Sequence, residues 1–148
     1  MSEANLTLAS MARILSIDYG GKRTGIAVTD PLKIIATGLT TVETPKLIQF
    51  LKDYFSKEEV ELVIIGMPLN LDDSPTDITA QVKKFITAYQ KFFPSIPIQE
   101  VDERYTSKLA SQAMIDMGMK KKARQNKGMV DEIAATMMLQ DYMKSQNI

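Results

Sequence analysis

Carboxylates set the chemistry open to this chain. Its 148 residues include no histidine and no cysteine, which excludes histidine general-base catalysis, cysteine nucleophiles, thiolate metal sites and disulfides. Asp18 ends the apolar run around Ile14, Leu15 and Ile17, and the glycine-rich basic turn Gly20-Gly21-Lys22-Arg23 follows it at once. A carboxylate beside an apolar strand needs a cation, a basic partner or open solvent, and the plain alternative is a turn-forming Asp beside glycine. In VDERYT, Asp102 and Glu103 close a second apolar run, and alternation lets only one of them face a site. The local pattern favours neither, and both acids could equally be solvated or paired with Arg104. Asp131 is more telling, because at helical spacing it shares a face with Ala134, Ala135, Met138 and Tyr142, whereas Glu132 looks toward Thr136 and Gln140. An acid on an apolar stripe, with small alanines one turn on, suits a ligand, with a buried ion pair as the competing explanation.

Three carboxylates about 4 Å apart repel by roughly 4 kcal/mol per pair at an effective dielectric of 20, so gathering them requires cations. Hard oxygen donors with open coordination positions suit Mg²⁺ or Mn²⁺. Two such ions about 4 Å apart activate a water and stabilise the leaving oxygen of a phosphodiester, which supplies hydrolysis without histidine or cysteine.

The elements that must position these acids follow from patterning. Ile14–Asp18, Thr24–Thr29 and Ile34–Val42 read as three strands of an antiparallel meander. Thr44 and Pro45 have the character of an N-cap and first helical residue, opening a helix to about Lys57. Glu61–Met67 is a near-continuous apolar strand, as in a parallel sheet covered on both faces. Ser74, Pro75 and Asp77 fit the N-cap, first and third positions of the next helix, whose stripe is Ile78, Val82, Phe85, Ile86, Tyr89 and Phe93. Ile98–Asp102 is a short fifth strand, Thr106 caps a helix stopped by Gly118, and a last helix spans about Gly128 to Lys144. Right-handed crossovers make the first strand central and gather functional loops at its carboxyl end.

The segments DYGGKRTGIAVTD, IGMPLNLDDS, VDERYTS and KGMVDEIAA resemble, in order and along nearly the whole chain, the four motifs of the YqgF-type (RuvX-like) Holliday-junction resolvase and pre-16S rRNA nuclease family. Each motif is weak alone, and four in order are highly specific. The resemblance implies an α/β, ribonuclease H-like fold: a five-stranded mixed sheet, three antiparallel strands then two parallel, flanked by helices. It implies a metal-dependent nuclease with Mg²⁺ or Mn²⁺, trimming the 5′ end of precursor 16S ribosomal RNA or, alternatively, resolving branched DNA. Motif matching puts Asp18, Glu103 and Asp131 in the acidic catalytic and metal-binding positions, so it selects Glu103 over Asp102. Lys22, Arg23, Arg104 and Lys127 take the basic positions. Asp73 stands where the family commonly has Gly, and Thr106-Ser107 where it has Thr-Thr; the first bears on loop geometry, and the second keeps the hydroxyl.

Acids and bases balance at 18 each, which argues against nucleic-acid binding by global charge. Residues 1–75 carry 7 Lys and Arg against 10 Asp and Glu, and residues 76–148 carry 11 against 8, so a polyanion site leans on the second half. There the tract MKKKARQNK places Lys120, Lys121, Lys122, Arg124 and Lys127 just ahead of Asp131, either as a phosphate grip or as a solvated loop. No apolar run approaches the roughly 20 residues needed to span a bilayer. The expectation is a cytoplasmic protein of one domain over residues 13–148, with residues 1–12 as a loose extension. Its partners are expected to be precursor ribosomal RNA or branched DNA, with no membrane, and it is a monomer or homodimer. Two other readings compete. An actin or sugar-kinase type enzyme also cradles phosphates on an Asp-x-Gly hairpin, but this chain has room for only one of its two domains. A non-catalytic nucleic-acid module would bind in a salt-sensitive way without needing Asp18.

Overall fold

The structure, a computed structural model, describes residues 11–68, 77–102 and 127–146. Five strands form one sheet: β1 (Arg13–Asp18), β2 (Arg23–Thr29), β3 (Ala36–Glu43), β4 (Val60–Met67) and β5 (Ile98–Asp102). Their spatial order is β3-β2-β1-β4-β5, with β1 in the centre as expected. β1–β2 and β2–β3 pair antiparallel, and β1–β4 and β4–β5 pair parallel. Right-handed crossover logic requires this order once a meander is followed by helix-strand units.

Side-chain alternation divides the core into two layers. Leu15, Ile17, Ile26, Val63 and Ile65 face α1 (Leu47–Lys57) and α2 (Thr79–Phe92), where they bury Leu47, Leu51, Val82 and Tyr89. Ile14, Ala27 and Ile64 face α3 (Lys127–Ser145), which buries Ala135, Met138, Leu139 and Met143 against them. Near-continuous apolar character in β1 and β4 is thus what a sheet covered on both faces demands.

Four boundaries differ from the sequence expectation, each for a visible reason. β3 begins at Ala36, because the Asp30 carboxylate accepts the backbone N–H groups of Ile34 at 2.6 Å, Ile35 at 2.8 Å and Leu32 at 3.2 Å. With Lys33 at φ 57°, that makes an Asp-anchored loop of residues whose β propensity pointed to a strand. Thr44 does not cap a helix: Thr44–Lys46 is a 3₁₀ turn after Glu43, without a side-chain cap, and α1 starts at Leu47. Asp77 lies in a turn and not at a third helical position, since α2 opens at Thr79, whose hydroxyl donates to the Pro68 carbonyl at 2.6 Å. Finally, packing begins inside the expected extension, as Ala12 is buried and its carbonyl accepts Lys33 Nζ at 3.0 Å. Ser74, Pro75 and the helix expected after Thr106 lie outside the described residues.

Candidate active site

Asp18 is the last residue of the central strand and is partly buried. It follows Ile14 and Ser16 in the alternation, so it belongs to the face that α3 covers. In the β1–β2 ladder Asp18 stands opposite Gly25. A Cβ added to Gly25 would overlap the backbone carbonyl of Asp131, so only glycine lets α3 touch the sheet at this position. Asp18 and Asp131, at opposite ends of the chain, therefore border the same glycine. Ala134 and Ala135 are fully buried one turn on, as the helical spacing of Asp131 predicted.

Arg23 precedes Gly25 by two residues on the same strand face, and its Nε lies 3.4 Å from Oδ2 of Asp131. The two side chains are 39% and 27% exposed, which makes this a half-buried ion pair. Glu132 departs from expectation: instead of looking outward it lies over β3, where a Cβ on Gly38 would come within 2.6 Å of its Oε1. The helix thus presents two neighbouring acids to two strand glycines.

The turn that carries Lys22 and Arg23 is held by hydroxyls. The Thr44 side chain donates to the Gly20 carbonyl at 2.6 Å and lies 2.9 Å from the Thr24 hydroxyl, and its backbone N–H reaches the Lys22 carbonyl at 3.0 Å. Gly20 has no room for a side chain beside the Arg23 carbonyl. Lys22 itself is exposed, and a cleft of about 530 Å³ lined by Gly21, Lys22, Arg23, Glu43 and Pro45 opens beside it. Sequence reasoning missed this use of Thr44, because a Thr-Pro pair after a strand signals a helix start and nothing local records a partner on another loop.

Asp102 ends β5 in register with Met67, which packs on the α1 and α2 side, whereas Val101 packs on the α3 side. By alternation Asp102 belongs to the face away from Asp18. Glu103, Arg104, Lys120, Lys121, Lys122 and Arg124 lie outside the described residues, as do Asp73 and Ser107, and Lys127 is the first residue of α3. Among the described residues no group of three or more acids stands together as a metal cage. The pair that is described does suit a hard cation, being two carboxylates on one face, one of which already has a guanidinium beside it.

A five-stranded mixed sheet with this order, backed by helices on both faces and carrying acids on its central strand and last helix, is the ribonuclease H-like fold. A Thermus thermophilus RuvC structure superposes with a TM-score of 0.52 at 12% identity, covering 92% of this chain and 97% of that one. Within that fold the chain belongs to the RuvX family, described as Holliday junction resolvase, whose model matches residues 12–145. A Flavobacterium johnsoniae protein named "Putative pre-16S rRNA nuclease" is 57% identical over 92% of this chain and 99% of its own length. One of the same name from Christiangramia forsetii is 56% identical over 90% of this chain and 98% of its own.

Proposed function

We propose that this protein is a metal-dependent nuclease that hydrolyses phosphodiester bonds while trimming the 5′ end of precursor 16S ribosomal RNA. Family membership supports nuclease activity, and the relatives' shared name supports the RNA substrate. The observation that carries the site is the contact at Gly25, which brings the end of β1 and the start of α3 together with an acid from each.

Asp18 and Asp131 would hold Mg²⁺ or Mn²⁺, with Glu103 as the third acid on the strength of motif matching. An ion held by these carboxylates would supply an activated water and charge stabilisation for the leaving oxygen. The chain's own part is to set one carboxylate on the central strand and one on the helix packed against it, and to bring basic groups to the substrate. Lys22 and Arg23 on the braced turn, together with Arg104 and the tract Lys120, Lys121, Lys122, Arg124 and Lys127, are assigned to the phosphate backbone. The domain is residues 13–148, acting in the cytoplasm; among the described residues no helix is long and apolar enough to cross a membrane.

A second reading, resolution of branched DNA, is favoured by the description of the matching family. It requires two symmetric active sites, whereas RNA trimming works with one. The test is cleavage of matched RNA and four-way DNA substrates in Mg²⁺ or Mn²⁺ by wild type and Asp18→Asn. RNA cleavage should fall more than about 100-fold in the variant, beyond the cost of losing an outer partner of a metal ligand. Retained turnover in Asp18→Asn would remove Asp18 from the centre, and junction cleavage with intact precursor RNA would reverse the substrate order.

A further inference from the structure

Resting on the metal-centre reading above, we propose that Arg23 is a built-in countercation of that centre. It occupies Asp131 when the centre holds no metal, and so holds divalent affinity down until nucleic acid draws the guanidinium away. Three observations carry this. Arg23 lies on the same strand face as Gly25, at the point where β2 meets α3, so its charge stands beside Asp131. Its Nε sits 3.4 Å from Asp131 Oδ2, longer than the roughly 2.7–2.9 Å of a charge-assisted hydrogen bond. That same Nε is buried and makes no hydrogen bond, so the contact is Coulombic attraction without a closed bond. A buried donor in that state is under-satisfied where it is, and a better acceptor relieves it.

The side chain as a whole remains 39% exposed, so its far end is open to an arriving phosphate. Phosphate oxygens match the guanidinium fork in a bidentate way that the present contact with Asp131 does not. Moving the guanidinium from carboxylate to phosphate would take one positive charge away from Asp131 at the moment substrate is present, which favours a divalent ion there. Metal and nucleic acid would then bind with positive coupling, each raising the affinity of the other by the same factor.

The test is calorimetric titration of the full-length protein with Mn²⁺ at low salt, without and with a single-stranded RNA oligonucleotide, for wild type, Arg23→Gln, Arg23→Lys and Lys46→Gln. Without RNA, Arg23→Gln should bind Mn²⁺ roughly fivefold more tightly, since a like charge beside the ion is gone. Arg23→Lys, which keeps the charge, should stay near wild type. Lys46→Gln removes an exposed charge that pairs with Glu43, and it should change Mn²⁺ affinity little. RNA should tighten Mn²⁺ binding by wild type and do so less for Arg23→Gln. Circular dichroism confirms that each variant is folded. Wild-type binding with Arg23→Gln unchanged or weaker overturns this proposal alone, whereas no Mn²⁺ binding by wild type overturns the metal-centre reading and this proposal with it.

Discussion

Thr44 shows how much a single side chain contributes when its partners are on another loop. Its hydroxyl is shared between Gly20 and Thr24, and its backbone N–H holds Lys22, so one residue at the end of β3 braces the whole basic turn. Thr44→Val keeps the shape and removes the hydroxyl, and it should cost about 1 kcal/mol in urea unfolding. RNA affinity should drop as well, because Lys22 and Arg23 lose their brace; unchanged affinity would show that the turn holds itself. At this scale the acids were legible in the sequence and their partners were not. Asp131 announced itself by sitting on a stripe with Ala134 and Ala135, a periodicity that any helix obeys. Its neighbour Glu132 was misplaced because its position depends on Gly38, a residue of a different element whose missing side chain leaves no periodic trace.

Among the elements, the approach of α3 to β2 sets how near Asp131 comes to the strand face that carries Asp18. Gly25→Ala would drive a Cβ into the Asp131 carbonyl, and the helix must retreat or the strand must bend. Overpacking of this kind costs about 1–3 kcal/mol. Cleavage should fall far more steeply than that loss of stability explains, because Asp131 moves relative to Asp18; near-normal turnover in a folded Gly25→Ala protein would mean that the centre tolerates the displacement. Strands β1, β2, β4 and β5 were readable almost to the residue, since apolar runs between turn signals leave few alternatives. The start of β3 was not. Its two isoleucines look like strand, and only the Asp30 carboxylate, by capturing their backbone N–H groups, makes them loop.

That capture has a pH signature. The amides of Ile35, Ile34 and Leu32 hold the Asp30 carboxyl below its ordinary value. A group depressed in the folded state adds stability above its unfolded value near about 4, and loses that contribution as pH falls through the folded value. Asp30→Ala should therefore destabilise more at pH 7 than at pH 2.5, as read from denaturant midpoints of both proteins. An equal difference at the two pH values would show that the loop owes nothing to the charge.

Over the whole molecule, charge is divided more sharply than a formal total of zero suggests, with the excess of bases in residues 76–148. A polyanion bound mainly through that half should show it in salt dependence. Replacing Lys120, Lys121 and Lys122 together by Gln is expected to lower the slope of log affinity against log salt by up to about 3, similarly for all sequences, with less effect on saturated turnover. An unchanged slope would leave the tract as a solvated segment.

On the metal-centre reading proposed above, the glycine contact between β2 and α3 would also set when during synthesis the protein becomes active. Asp18 is synthesised well before Asp131, so on that reading a nascent chain would carry only one of the two acids until α3 emerges and docks. Until then the face of Ile14, Ala27 and Ile64 that α3 buries has no cover. Packing of that helix is therefore one event with two outcomes: it seals an apolar surface otherwise open to aggregation, and it completes the acidic pair. On that reading, a chain without α3 would lack one of the two described acids, and any fluctuation that lifts the helix would uncover the apolar face of Ile14, Ala27 and Ile64.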